Sequence, residues 1–157
     1  TRKPRDREEN GGAYYFETND SFEKNHYLER VMYAGSKYGS SHEALALAWA
    51  QSNFATIVLD TAGAITYARE LGEQAVIIFV TVTHPDVLIE RVQIRGDDPT
   101  IVKQRIASPE FMRDVTLPEA LKGVAYQLEN DDWAKTKARL DLIVTDVMNG
   151  RSLPKKI

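Results

Sequence analysis

The sequence predicts an α/β fold in which a parallel sheet is flanked by helices. Two continuous apolar runs, residues 55–59 and 75–82, are each followed by a segment of helical composition, residues 65–71 and 85–94. Apolar runs without alternation are typical of parallel strands, because helices cover such strands on both faces. Pro85 lies in the first turn of its predicted helix, where the missing N–H is tolerated.

The N-terminal third is predicted to be a small β/α region. Its expected elements, in chain order, are a loop over residues 1–13, a short aromatic strand over 14–16, a helix capped by Thr18 and running to about Glu29, a strand over 30–34 that ends at Gly35, and a helix over 43–50 capped by Ser40 or Ser41. Serine and threonine oxygens accept hydrogen bonds from first-turn N–H groups. Alanine and leucine favour the last of these helices.

The C-terminal segment has features of both a strand and a helix. Residues 140–145 have the composition of a strand, yet apolar side chains recur at helical spacing from Trp133 to Val147. This period favours a single helix. We predict a helix over residues 131–149 that is stopped at Gly150, capped by Asn130 and preceded by a strand over residues 124–129.

Composition limits the class of protein. The 157 residues fit one domain, and 43% hydrophobic with 27% charged residues is ordinary for a globular chain. A net charge of -3 gives no basic field for nucleic-acid polymers or membranes. The longest apolar run, residues 75–80, is too short to span a bilayer, and the absence of cysteine fits a cytoplasmic protein. The sequence makes no prediction about oligomeric state.

Residues near the N-terminus are suited to binding a phosphate. Arg2 and Arg5 carry planar guanidinium groups that match phosphate oxygens two at a time, and the hydroxyls of Tyr14 and Tyr38 add neutral donors. Acidic residues nearly cancel the basic ones in this segment, so a solvated charged terminus is the simpler interpretation of these residues alone. Ser40, which follows a glycine, either contacts a base edge or caps a helix.

Two further groups of side chains are candidates for phosphate chemistry. Asp60 ends an apolar run, where it either holds Mg²⁺ directly or through water, or caps the following helix. Arg91 and Arg95 are spaced i, i+4 on a predicted helix, and Arg105 follows on the next one. These arginines either gather around phosphates or pair with neighbouring acids.

Taken in order, these segments resemble the guanylate kinase family. The run from Thr1 to Phe16 is similar to the family's segment for the phosphate of GMP. Glu29, shortly before the run Tyr38-Gly39-Ser40, is similar to the family's base-reading acid. The resemblance implies that Glu29 accepts the guanine N–H groups and that Ser40 donates to the ring oxygen.

The resemblance implies a P-loop-kinase-like parallel sheet, a small GMP-binding β/α subdomain and a helical lid. We expect a single domain over residues 1–157, with the GMP subdomain over 1–53, the core over 54–90 and 124–150, and the lid and following helices over 91–123. The implied reaction transfers a phosphoryl group from ATP to GMP in the cytoplasm. The residues implied in it are Arg2, Arg5, Tyr14 and Tyr38 at the GMP phosphate, Arg91, Arg95 and Arg105 as catalytic lid arginines, and Asp60 at Mg²⁺ through water.

No Gly-x-x-x-x-Gly-Lys-Ser/Thr loop occurs in these residues, and the first residue is not methionine. We therefore expect the natural start to lie upstream and the printed chain to be inactive without that loop. The alternative is a non-catalytic guanylate-kinase-like module that binds GMP or phosphorylated peptides, which the missing second carboxylate after Asp60 favours. A third possibility is a phosphate-handling α/β protein with no nucleotide role.

Overall fold

The structure, a computed structural model, describes residues 1–5, 8–94 and 98–150. The chain divides into two compact units, Thr1–Glu70 and Leu71–Ile157. The elements of the first are α1 (Asn19–Phe22), β1 (Tyr27–Tyr33), β2 (Ser36–Ser41), α2 (His42–Gln51) and α3 (Thr61–Leu71), whose last residue lies in the second unit. Those of the second are β3 (Ile78–Thr81), α4 (Asp86–Ile94), α5 (Pro99–Ile106), α6 (Pro109–Asp114), β4 (Tyr126–Glu129) and α7 (Trp133–Met148).

An antiparallel hairpin of β1 and β2 is the framework of the first unit. The two residues of its turn, Ala34 and Gly35, both have positive φ angles, 47° and 77°. Such turns match the right-handed twist of the flanking strands. The register shifts between Tyr27 and Glu29, so that Glu29 pairs directly with Ser40. The side chains of these two partners therefore lie on the same face of the hairpin.

Two predictions for the N-terminal third are wrong. The helix capped by Thr18 ends at Phe22, and Glu29 lies on β1 instead. Burial alternates along the centre of β1, a period-2 pattern that the helix would have broken. The expected aromatic strand is reduced to one bridge between Asn10 and Tyr14. The side chain of Asn10 accepts the N–H of Phe16 at 2.7 Å, which takes the donor that a strand partner would need.

The predicted strand over residues 55–59 is also wrong, because the structure assigns no strand to these described residues. A strand requires a hydrogen-bonded neighbour, which this apolar run lacks among the described residues. Ile57 and Val58 are consequently 48% and 85% exposed. The predicted helices that flank the run are confirmed, and Ser41 rather than Ser40 caps α2, its hydroxyl accepting the N–H of Ala44 at 3.1 Å.

The predicted parallel pairing of strands is confirmed in the second unit. β3 and β4 are parallel and paired from Ile78 with Tyr126 to Thr81 with Glu129. Leu121, which precedes β4, and Ile143 on α7 are each 1% exposed and form the centre of the core. The mixed α/β class is therefore as the sequence predicts. In the ranges that the structure describes, none of the helices is long and apolar enough to cross a bilayer.

The C-terminal helix is confirmed, but its cap and its buried face differ from the prediction. Asp132, not Asn130, caps α7, and its carboxylate accepts two backbone N–H groups at 2.9 and 3.2 Å. Asn130 continues the strand ladder by donating its N–H to Thr81 at 2.8 Å. The hydroxyl of Thr136 bonds the carbonyl of Glu129 at 2.9 Å, which turns Thr136 inward. Trp133, expected inside, is 63% exposed.

We predict that Asp132→Ala lowers the free energy of unfolding by about 1 kcal/mol, because two first-turn N–H groups of α7 lose their acceptor. Urea unfolding followed by circular dichroism measures this change. Asp141→Ala is the matched control, since Asp141 lies on the same helix in an exposed pair with Lys137 at 2.5 Å. Its expected effect is at most about 0.5 kcal/mol. Equal effects of the two variants would contradict the capping role.

Candidate functional site

Three buried polar side chains form a hydrogen-bonded chain in the first unit. The Ser40 hydroxyl donates to Oε1 of Glu29 at 3.0 Å, and the Tyr67 hydroxyl donates to Oγ of Ser40 at 2.8 Å. The exposed fractions of Glu29, Ser40 and Tyr67 are 6%, 9% and 5%. Two members come from facing positions of the hairpin and one from α3, so the pairing of β1 with β2 brings the carboxylate and its donor together.

The second oxygen of this carboxylate is the most informative atom of the site. Oε2 of Glu29 is buried and has no hydrogen-bond partner within the described ranges. An ionised oxygen in that position is costly, because the donors that it had in water have not been replaced. Burial raises the pKa of Glu29, the hydrogen bond from Ser40 opposes the rise, and the neighbouring Asp60 carboxylate adds to it. The site is therefore suited to a ligand that brings N–H donors.

The start of α3 closes over this carboxylate. Oδ1 of Asp60 accepts the N–H of Gly63 at 2.7 Å, so Asp60 has the helix-capping geometry that the sequence leaves as one of two interpretations. A Cβ on Gly63 would lie 3.2 Å from both Asp60 Oδ1 and Glu29 Oε2. Glycine thus allows the helix to approach the two acids, which lie close together around it.

The predicted phosphate-binding arginines meet on one acid, Glu8. Arg2 binds Glu8 through two parallel contacts, Nη1 to Oε2 at 2.5 Å and Nη2 to Oε1 at 2.6 Å. The backbone N–H of Arg5 donates to Oε2 of the same carboxylate at 2.8 Å. Hydrogen bonds from Arg2 and then from Arg5 lower the pKa of Glu8 to about 2. Sequence reasoning treated this acid only as a balancing charge and missed its contact with both arginines.

The aromatic members of the phosphate group lie beside Arg2. Its guanidinium carbon is 5.1 Å from the ring centre of Tyr14, and Tyr14 meets Tyr38 edge to face at 6.5 Å. Tyr38 is two residues before Ser40 on β2, so both side chains point to the same face. The backbone N–H of Lys37 donates to the hydroxyl of Thr1 at 3.0 Å, which holds this segment along β2.

The structure thus brings six of the predicted site residues together in two neighbouring groups of the first unit. Arg2, Arg5, Tyr14 and Tyr38 lie around Glu8 and the end of β2, and Glu29 and Ser40 lie further along the same hairpin face. Tyr67 is an additional member that sequence reasoning missed. A single tyrosine in a predicted helix gives no signal of a site, and only the approach of α3 reveals it.

The predicted lid arginines belong to the second unit. Arg91 on α4 is half-buried and lines a cavity of about 90 Å³, together with Asp114 and Asn130. Arg105 is half-buried on α5, a helix that packs against α4. Arg95 lies outside the described residues.

A preformed metal centre is not part of the described chain. Over residues 1–5, 8–94 and 98–150, no group of three or more acidic or histidine side chains is arranged to hold a metal ion. One oxygen of Asp60 already caps α3. Mg²⁺ commonly keeps several waters and binds one or two carboxylates plus substrate phosphates, so a single carboxylate such as Asp60 is compatible with a contact through water.

A larger concavity lies elsewhere in the first unit. Its volume is about 270 Å³, and its lining includes Glu23, Arg30 and Lys37. Glu23 is paired with Arg30 at 3.0 Å and with Lys37 at 2.5 Å. Each of these charged side chains already has an ion-pair partner, whereas Oε2 of Glu29 has no hydrogen-bond partner among the described residues, so Glu29 marks the better candidate site.

Comparison with known proteins identifies similar chains along almost the entire sequence. The sequence model of the family described as guanylate kinase matches residues 1–146. A protein named guanylate kinase from Symbiobacterium thermophilum is 30% identical over 166 residues, which cover 98% of this chain and 74% of that protein. A protein of the same name from Chlorobium chlorochromatii is 31% identical over 116 residues, which cover 71% of this chain.

These curated relatives are longer than the chain. The match spans 61% of the length of the Chlorobium chlorochromatii protein. It spans 66% of a guanylate kinase from Chlamydia caviae, which is 26% identical over 140 residues covering 87% of this chain.

The raised pKa of Glu29 predicts a specific pH dependence of stability. The folded state binds this proton more tightly than the unfolded state, so Glu29 weakens the fold as the pH rises from about 4.3 through the folded-state pKa. Glu29→Gln removes the titration. We expect the stability of this variant relative to the wild type to increase between pH 4 and pH 7.

Urea unfolding at a series of pH values measures this difference. Glu43→Gln is the control, because hydrogen bonds from its own backbone N–H and from His26 lower the pKa of Glu43. That variant should lose relative stability over the same pH range. A flat or falling difference for Glu29→Gln would show that burial of its charge does not weaken the fold.

Proposed function

The chain belongs to the guanylate kinase family, and on that premise we propose that it is the GMP-binding and lid-bearing part of a nucleoside monophosphate kinase. The proposed reaction is transfer of the γ-phosphoryl group of ATP to GMP to give GDP. The observation that carries the proposal is the buried, unpartnered Oε2 of Glu29 beside the Ser40 hydroxyl. This pair fits the edge of a guanine base.

Guanine presents two kinds of donor next to one acceptor. Its ring N–H and amino group can bond the two oxygens of Glu29, and its ring oxygen can accept from Ser40. Adenine presents an unprotonated ring nitrogen to the same carboxylate, so two acceptors would face each other. A buried site with fixed donors and acceptors rejects such a mismatch strongly. The geometry of the hairpin therefore supports guanine as the base.

The GMP phosphate is proposed to bind at the start of the chain. Arg2 and Arg5 supply charged donors, and Tyr14 and Tyr38 supply hydroxyls. The proximity of Arg2, Tyr14 and Tyr38 on the hairpin face that also carries Ser40 supports this role. Charge-assisted bonds from guanidinium groups to phosphate oxygens are strong and orient the ligand. Glu8 contacts the guanidinium of Arg2 and the backbone N–H of Arg5.

The phosphoryl transfer itself is assigned to the lid residues. We propose that Arg91, Arg95 and Arg105 neutralise the charge that develops on the transferred group, which is the main task in this chemistry. Asp60 would hold Mg²⁺ of the ATP complex through water, and the ion would screen charge on the phosphates. In the proposed division of the chain, residues 91–123 form the lid and the following helices, and residues 1–53 form the GMP subdomain. The remaining residues, 54–90 and 124–150, would form the core.

The non-catalytic alternative has less support. Thr61 and Ala62 stand after Asp60 where the family usually has a second carboxylate, which is the feature that favours a phosphopeptide module. Such a module has no use for a base-reading pair, whereas the hydrogen bond between Glu29 and Ser40 and the unpartnered Oε2 of Glu29 support such a pair. We therefore propose a cytoplasmic enzyme with small-molecule substrates, and no nucleic-acid polymer or membrane as partner.

We predict that Glu29→Ala weakens GMP binding by about 1–3 kcal/mol, because two donors of the base lose their acceptor on transfer from water. Isothermal titration calorimetry with GMP, AMP and a phosphopeptide measures the affinities. Glu43→Ala, which removes an exposed carboxylate on α2, is the control and should bind GMP like the wild type. An unchanged GMP affinity in Glu29→Ala would refute the base-reading role, and preferential binding of the phosphopeptide would favour the alternative function.

We predict that the 157-residue chain alone consumes no ATP in a GMP-dependent manner. The missing Gly-rich loop would supply the backbone N–H groups and the lysine that hold the β- and γ-phosphates. A coupled assay of ADP release, run on this chain and on a longer form that includes such a loop, measures the difference. GMP-dependent turnover by the short chain would contradict this prediction, because it would show that these residues catalyse the reaction without such a loop.

A further inference from the structure

We propose that Tyr67 is a specificity-determining residue, which fixes the Ser40 hydroxyl as a hydrogen-bond donor and thereby favours 6-oxopurine over 6-aminopurine nucleotides. The inference deepens the proposed function and rests on it. Tyr67 does not touch the reacting groups. It acts through Ser40 and is therefore a positioning residue.

The starting point is the ambiguity of a serine hydroxyl. Its single proton can be donated, and its lone pairs can accept, so a lone serine reads a carbonyl and an amino group almost equally well. Ser40 has less of this freedom, because one of its two lone pairs already accepts the hydrogen bond from the Tyr67 hydroxyl at 2.8 Å. With that lone pair occupied, the proton of Ser40 points to another group.

The present acceptor of that proton is Oε1 of Glu29, at 3.0 Å. An ionised carboxylate can only accept hydrogen bonds, so Ser40 must donate to Glu29, and Tyr67 in turn donates to Ser40. When the N–H groups of guanine bond the carboxylate, the Ser40 proton becomes available to the ring oxygen of the base. The same proton would face the amino group of adenine, which is also a donor.

Tyr67 is a suitable donor because it stays neutral. Burial raises the pKa of Tyr67, so its hydroxyl keeps its proton throughout the physiological range. Gly63 lies one turn before Tyr67 on α3, and residues four apart lie on the same face of a helix. Gly63 packs against Glu29 without a side chain, which allows Tyr67 to reach Ser40.

The test uses Tyr67→Phe, which removes the hydroxyl and keeps the ring. Calorimetry should show that GMP and IMP, which both carry the 6-oxo group, bind about 3- to 10-fold more weakly, as expected for the loss of one neutral hydrogen bond. The affinity for AMP should stay the same or rise. In a Ser40→Ala background, Tyr67→Phe should have no further effect on the ratio of GMP to AMP affinity.

Tyr27→Phe is the matched control. It removes a hydroxyl from the same hairpin, one that accepts a hydrogen bond from Asn25 at 3.2 Å, and it should leave the nucleotide ratio unchanged. Thermal unfolding of each variant tests that the fold is intact. An unchanged ratio in Tyr67→Phe, or equal losses for GMP and AMP, would overturn the proposal and leave Tyr67 with a structural role.

A nucleotide-free measurement separates this inference from the proposed function. Tyr67 polarises the Ser40 hydroxyl, so its loss should weaken the bond to Glu29 and raise the pKa of that carboxyl, as followed by carbon-13 NMR. A pKa equal to that of the wild type would overturn the hydrogen-bond order. If the wild-type protein failed to bind GMP, the proposed function and the base preference would fall, and the NMR titration would still decide the order of donation.

Discussion

The burial of one carboxylate, Glu29, imposes the main constraint on the first unit. A charge that has left water requires donors, and the hairpin supplies one through the direct pairing of Glu29 with Ser40. Three further features lie around this acid. The register shift before Glu29 sets its pairing with Ser40, Asp60 caps the start of α3 beside it, and Gly63 has no side chain that would meet it. The remaining unsatisfied oxygen is a lasting penalty to the fold, of the kind that proteins tolerate at binding sites.

The sequence predicted those parts of the fold that depend on local periodicity. The helical spacing between Trp133 and Val147 overrode the strand composition of residues 140–145, and α7 confirms it. The parallel pairing of β3 with β4 and the helices after them were also recognisable, because continuous apolar runs and capping residues are local signals.

Features that depend on a partner were not predictable in this way. The capping signal of Thr18 is genuine, but the helix it starts lasts one turn, since pairing with β2 draws the following residues into a strand. Residues 55–59 have strand composition and no strand partner among the described residues. Glu29 was found through order and spacing within a family pattern, whereas Tyr67 is brought to Ser40 only by the packing of α3 on the hairpin.

The contact between Arg2 and Glu8 has a consequence for the rate at which a phosphate would be captured. The two arginines bring two positive charges and Glu8 brings one negative charge into the same small region, and the chain as a whole carries a net charge of -3. Such a region produces little long-range attraction for an anion in physiological salt. Encounter would then be governed by diffusion and fit, and selectivity would arise after contact, when donors held at fixed positions meet the oxygens of the ligand.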